Sequence, residues 1–124
     1  MENLNWTAVI TGTVVAFLVG WAWYNEKLFG KGWAAGSGVE LGAAKSMPIG
    51  AMVAQIVALF LLALVIGVTA QTNALTTAIL AILATAAFLV SNGKFSGKSG
   101  YAVAVDAGFV VVAGAVMIVC QGIF

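Results

Sequence analysis

The chain has 124 residues, of which 63% are hydrophobic and only 7% are charged, and its net charge is +1. A soluble domain ordinarily carries about 25% charged residues, and so small a domain has too much surface for its volume to hide this many apolar side chains from water. The composition therefore excludes an ordinary water-soluble fold and predicts one all-α membrane domain, a bundle of four transmembrane helices over residues 1–124.

The composition also excludes several classes of function. The sequence has no histidine and a single cysteine, so it lacks the commonest protein ligand of haem and zinc and has no internal disulfide. The sequence has no stripe of basic residues of the kind that binds nucleic acid. A nucleophile, a base and an orienting group cannot be named together. We therefore expect no cofactor, no metal site, no catalytic residues and no enzymatic activity.

The first predicted span covers residues 6–24 and is an uncharged apolar run. About 19 residues of helix measure roughly 28 Å, which matches the roughly 30 Å hydrocarbon core of a bilayer. Gly12, Ala16 and Gly20 recur every four residues, so they form a small-residue face that lets another helix approach closely. We favour packing within the chain over a dimer contact for this face.

Residues 25–47 are predicted to be a glycine-rich loop. Its first part, NEKLFGKGW, interleaves aromatic side chains with lysines. That mixture is typical of a segment that lies along the membrane surface, with rings at headgroup depth and lysines reaching lipid phosphates. The predicted interfacial anchors of the chain are Trp6, Tyr24, Trp33, Tyr101, Lys27 and Lys31.

The second and third spans are predicted at residues 48–70 and 74–90. Span two begins at Pro48, a residue suited to the first turn of a helix, and its one strongly polar residue is Gln55. The turn at residues 71–73 is so short that the two spans must be antiparallel neighbours. A second small-residue face is predicted on span two at Gly50, Ala54 and Ala58.

A second polar loop at residues 91–100 leads to the fourth predicted span, residues 101–123, which carries Asp106. An ionisable group at the centre of a membrane helix costs about 2.5–3.5 kcal/mol and usually faces the bundle interior with a partner. We therefore predict an intramembrane polar cluster, and we favour a structural role for it over proton or ion binding. Its predicted members are Asp106, Gln55, Trp21, Trp23 and Lys94, and the small residues expected at helix contacts on this span are Gly108 and Gly114.

The lysines indicate the orientation. All five lie in the first and third connections, at Lys27, Lys31, Lys45, Lys94 and Lys98. Four spans put both connections on one side, and the positive-inside rule makes that side the cytoplasm. Both termini are then expected on the outer side.

Two stretches resemble a known family. Residues 21–33 read WAWYNEKLFGKGW, and residues 105–124 read VDAGFVVVAGAVMIVCQGIF. With Asn5-Trp6 they resemble the bacterial membrane family catalogued as domain of unknown function 1761. That family opens with an NW-initiated span, continues into a WY…LFGKxW stretch and closes with a span that has an Asp-Ala-Gly-aromatic start. The resemblance implies a four-helix membrane protein, and it supplies no activity. Together with the lysine pattern it leads us to expect the bacterial inner membrane, with both termini on the periplasmic side.

We expect the chain to be a structural or accessory subunit within or beside a larger membrane complex, for which a respiratory or photosynthetic complex is one candidate host. The small-residue faces, the minimal extramembrane parts and the lack of a catalytic set favour this hypothesis. The expected partners are the lipid bilayer and other membrane subunits, without nucleic acid, and a homo-oligomer stays open. The alternative is a small oligomeric transporter or channel that uses Asp106 as its coupling or selectivity group.

Overall fold

A computed structural model of the chain describes residues 3–25, 27–38 and 49–124. In this part of the chain the backbone forms helices and no strand. The helices are α1 (Trp6–Trp23), α2 (Gly30–Ser37), α3 (Ile49–Gln71), α4 (Leu75–Phe95) and α5 (Gly100–Ile123). Helices α1, α3, α4 and α5 are long and apolar enough to cross a membrane. The predicted all-α membrane bundle is therefore confirmed.

The predicted boundaries of the second span and of the second polar loop differ in outcome. The predicted start of span two at Pro48 and the loop lysine Lys45 lie outside the described residues. Helix α4 runs to Phe95, so the first half of the predicted loop at residues 91–100 is helical instead. The helix continues through Gly93, where a Cβ would overlap Val103 of α5, and the reversal comes only at Gly97, whose φ is 79°.

The turn between α4 and α5 is a tight helix end followed at once by a helix start. The N–H of Lys98 donates to the carbonyl of Gly93 at 2.9 Å, and the N–H of Gly97 donates to the carbonyl of Lys94 at 3.2 Å. This pair of bonds is the Schellman arrangement that satisfies the last carbonyls of a helix. The Ser99 hydroxyl then accepts from the N–H of Ala102 at 3.1 Å and caps α5.

Helix α5 is the centre of the bundle. Its membrane-spanning window is 44% buried, against 22% in α1 and 17% in each of α3 and α4. The helix contacts all four of the others. Its buried side chains include Ala102, Val105, Phe109, Ala113 and Met117, which recur every three or four residues. The other spans therefore pack around α5 and turn most of their surface outward.

The small residues of α1 lie against α5. A Cβ placed on Gly12 would be 3.3 Å from Met117 Cγ, and one on Gly20 would be 3.0 Å from the Phe109 ring. Ala16, between them, is fully buried. Close approach of the two backbones therefore requires small side chains on this face of α1.

Helix α3 is packed over its second half alone. Its buried residues are Leu59, Ala63, Ile66, Gly67 and Thr69, and none of residues 49–58 is buried among the described residues. The small-residue face predicted on this helix is exposed, and a Cβ on Gly50 would have no described atom within 4 Å. This face therefore makes no close helix contact inside the described chain, in contrast to the face on α1.

Gly114 provides a test of the contact between α4 and α5. A Cβ at this position would overlap the Ile82 side chain. We expect Gly114→Ala to lower the free energy of unfolding, because overpacking costs about 1–3 kcal/mol and exceeds the about 0.5–1 kcal/mol that alanine gains over glycine inside a helix. The measurement is unfolding in detergent followed by circular dichroism. The matched control is Gly122→Ala on the same helix, where the Cβ enters open space; equal losses in both variants would contradict the packing described here.

Candidate functional site

The Asp106 carboxylate accepts hydrogen bonds from three side chains. The Tyr24 hydroxyl donates to Oδ1 at 2.5 Å and the Trp33 indole N–H donates to the same oxygen at 2.9 Å. The Lys98 ammonium donates to Oδ2 at 2.8 Å and forms an ion pair with it. Asp106 lies in the second turn of α5, and 14% of its side chain is exposed. Bonds to an ionised acceptor are roughly twice as strong as neutral ones, so the cost of placing this charge in the bundle is met locally.

The three donors come from three different segments. Tyr24 directly follows α1, and its N–H still donates to the carbonyl of Gly20 at 3.0 Å. Trp33 lies on α2. Lys98 lies in the turn that connects α4 to α5. The carboxylate therefore holds together the end of α1, the short helix α2 and the α4–α5 turn.

Glycines let α2 come close enough to deliver Trp33. The N–H of Ser99 donates to the carbonyl of Gly36 at 2.9 Å, which joins α2 to the start of α5. A Cβ on Gly36 would overlap Ser99, and a Cβ on Gly32 would overlap the Tyr101 ring. Larger residues at these two positions would push α2 away and withdraw the indole from the carboxylate.

Aromatic rings surround the ion pair. The edge of Tyr24 meets Trp33 with ring centroids 5.0 Å apart. The Lys98 ammonium lies 5.6 Å from the centroid of the Trp33 ring, within the range of a cation–π interaction. The Trp23 indole donates to the carbonyl of Val105 at 2.9 Å, one residue before the acid. The ammonium thus has a carboxylate on one side and an aromatic face on another.

The structure assigns Asp106 different partners from the predicted ones. Trp23 lies beside the carboxylate but bonds to the backbone, and Trp21 is 58% exposed. Gln55 lines a groove between α3 and α4. Lys94 is exposed in the last turn of α4. The predicted cluster of Asp106 with Gln55, a tryptophan of span one and Lys94 is thus corrected to a cluster with Tyr24, Trp33 and Lys98.

The correction has a physical reason. The prediction compared only the depths of side chains along their helices, whereas a contact also requires that the helices face each other. Asp106 faces α1 and α2, and Gln55 on α3 does not reach it. Tyr24 and Trp33 were predicted to be lipid anchors, yet their polar atoms point inward to the acid. The other predicted anchors, Trp6, Tyr101, Lys27 and Lys31, are exposed.

Within the described residues no group of three or more histidine, cysteine, aspartate or glutamate side chains is placed to hold a metal ion. Cys120, the single cysteine, is buried on α5. In the described chain the chemistry of the site is therefore that of one carboxylate, one ammonium, one phenol and one indole N–H. Such a set can hold the ammonium of Lys98 in a fixed place, and it braces the helices that supply the donors.

The ion pair can be tested with paired lysine variants. We expect Lys98→Met to lower the free energy of unfolding by about 1–3 kcal/mol, below the about 3–5 kcal/mol of a fully buried pair because the lysine is partly exposed. Lys94→Met is the matched control, since this exposed lysine makes no ion pair with any described residue. Denaturation in a detergent–urea series gives the values. Equal effects of the two variants would contradict a stabilising pair.

Asp106→Asn completes the double-mutant cycle. Asparagine keeps one oxygen for Tyr24 and Trp33 but turns an N–H group toward the Lys98 ammonium, so two donors meet. We expect the combined Asp106→Asn and Lys98→Met variant to lose less stability than the sum of the two single variants, with a coupling of about 1–2 kcal/mol. Additive losses would show that the two side chains act independently.

Comparison with known proteins identifies the family. The family model described as "Protein of unknown function (DUF1761)" matches residues 7–122. No curated protein and no solved structure matches the chain. The matched range contains Tyr24, Trp33, Lys98 and Asp106 and nearly all of the four spans. The resemblance seen in the aromatic stretch and the closing span is thereby confirmed, and the protein belongs to the DUF1761 family.

Proposed function

We propose that the protein is a small structural subunit that packs within or beside a larger membrane protein complex and catalyses no reaction itself. The observation that carries this proposal is the exposed small-residue face at the start of α3, formed by Gly50, Ala54 and Ala58. Helices in lipid have no hydrophobic drive to associate, so they use small side chains to bring their backbones into contact. A face of this kind is suited to a helix of another subunit.

The contrast between α1 and α3 supports this proposal. Both helices carry small residues at every fourth position. On α1 these residues are covered by Met117 and Phe109 of α5. On α3 the equivalent residues are exposed to their surroundings. The small-residue face of α1 is thus packed against α5, and the small-residue face of α3 is exposed.

Gln55 adds a polar contact next to this face. It is half-buried, directly follows Ala54, and lines a groove with Thr85 of α4. An interhelical hydrogen bond inside a membrane contributes on the order of 0.6 kcal/mol, up to about 1.7 kcal/mol. A partner helix seated on Gly50, Ala54 and Ala58 has this amide within its reach.

The membrane orientation forms part of the proposal. The Lys98–Asp106–Trp33 contacts place the described part of the first connection and the α4–α5 turn at the same end of the bundle. By the positive-inside rule we assign that end to the cytoplasm of a bacterial inner membrane. The termini then lie on the periplasmic side.

The proposed interface is tested by enlarging its small residues. We expect the double variant Ala54→Leu and Ala58→Leu to abolish co-migration of the tagged protein with a larger particle on native gels of mild detergent extracts, because leucine keeps the two backbones apart. Native mass spectrometry identifies the other subunits in the particle.

The matched control is the double variant Ala84→Leu and Ala87→Leu, at exposed alanines of α4. It adds the same volume elsewhere on the surface and should leave the particle intact. A wild-type protein that migrates only as a free monomer would contradict the proposal.

A transporter would move ions across the membrane, whereas a structural subunit would not. Asp106 is held by three donors, and a transported ion would have to displace at least the lysine. We expect liposomes that contain the wild-type protein to show proton and potassium flux no greater than empty liposomes, measured with pH- and potassium-sensitive dyes. A flux that Asp106→Asn removes would instead favour the transporter and make Asp106 its coupling group.

A further inference from the structure

We propose that the Asp106 cluster is a binding site for a primary ammonium group, which Lys98 occupies from within the chain. An external ligand of the same chemistry is either the headgroup of an aminophospholipid or a soluble primary amine. This inference concerns the chemistry of the cluster and does not depend on the proposed role as a subunit.

The surroundings of the Lys98 ammonium are those of a cation site. A carboxylate oxygen lies 2.8 Å from the nitrogen, and the centre of the Trp33 ring lies 5.6 Å from it. A carboxylate gives a strong charge-assisted bond, and an indole face attracts a cation through its quadrupole. A primary ammonium satisfies both because it combines N–H donors with a compact charge, whereas a quaternary ammonium has no donor for the carboxylate.

The site is held in place by contacts that do not involve the lysine side chain. Tyr24 and Trp33 both donate to Oδ1 of Asp106, and their rings touch each other. Helix α2 is joined to α5 through the carbonyl of Gly36. Removal of the Lys98 side chain therefore leaves Oδ2 facing the vacated position beside the Trp33 ring. A buried carboxylate oxygen without a donor is costly, so the vacated position favours another cation.

The position of Lys98 allows exchange with an external group. Its side chain is 27% exposed, and it stands on the short turn between α4 and α5, at an end of the bundle. Lipid headgroups lie at that level of a membrane. A tethered group competes at an effective concentration in the millimolar range. External ammonium groups therefore compete poorly with Lys98 in the wild type. They bind once the lysine side chain is removed.

The test is chemical rescue of Lys98→Ala, in which the space of the lysine side chain is left open. We expect ethylammonium chloride to raise the unfolding midpoint of this variant in detergent saturably, by roughly 3–6 °C at several times the dissociation constant. Sodium chloride and tetramethylammonium chloride at equal concentration serve as controls for ionic strength and for a cation without N–H donors. Equal shifts with all three salts would overturn the proposal.

A second control removes the carboxylate. In the combined Asp106→Asn and Lys98→Ala variant the ethylammonium effect should disappear, because the charge that holds the ligand is gone. An unchanged effect would also overturn the proposal. If neither Lys98→Ala nor Lys98→Gly folds without additive, the readout becomes the yield of folded monomer after refolding. A yield raised by ethylammonium but not by sodium chloride supports the site, and equal yields refute it.

Native mass spectrometry of Lys98→Ala from lipid nanodiscs distinguishes the two sources of the ammonium. Retention of phosphatidylethanolamine above phosphatidylcholine, lost when Asp106→Asn is added, identifies a lipid headgroup as the ligand. Rescue by ethylammonium without selective retention of phosphatidylethanolamine identifies a soluble amine. The absence of both rescue and retention overturns the proposal.

Discussion

The bundle depends on the need to satisfy one carboxylate inside an apolar protein. An unpaired charge in such surroundings costs several kcal/mol. Asp106 avoids this cost by drawing donors from the end of α1, from α2 and from the α4–α5 turn. Each donor is separate in sequence, so the ion pair and its hydrogen bonds join α2 and the α4–α5 turn to the closely packed helices α1 and α5.

Satisfying the carboxylate requires close packing of backbones. Trp33 reaches the acid because Gly32 and Gly36 let α2 lie against Tyr101 and Ser99. Lys98 reaches it because the positive φ of Gly97 turns the chain sharply after α4. These glycines thus determine the positions of the donors Trp33 and Lys98. Electrostatics and steric fit depend on each other at this end of the molecule.

The sequence predicted those features that depend on local composition. Apolar runs bounded by polar turns predicted four spans, because each run must be long enough to cross the bilayer. The cost of Asp106 predicted that it has partners, and the hydrogen bonds agree. The identity of the partners depended on helix rotation and on α2, an eight-residue helix that lies inside the stretch predicted to be a loop. Gly97, two residues after Phe95, was the available signal for the end of α4, since glycine commonly follows a helix end in the left-handed conformation.

The two halves of α3 differ in how they pack within the described chain. From Leu59 onward this helix has buried residues and belongs to the core. Before Leu59 no residue of the described helix is buried, and this half carries the small residues and the half-buried Gln55. Lipid solvates apolar side chains as well as a neighbouring helix does, so exposure of valine or isoleucine there implies nothing. Small residues and an amide are different, because lipid chains gain little from a shallow face and offer no hydrogen-bond partner to Gln55. On this ground we propose another helix, rather than lipid, as the neighbour of this face, and we propose none for the rest of the outer surface.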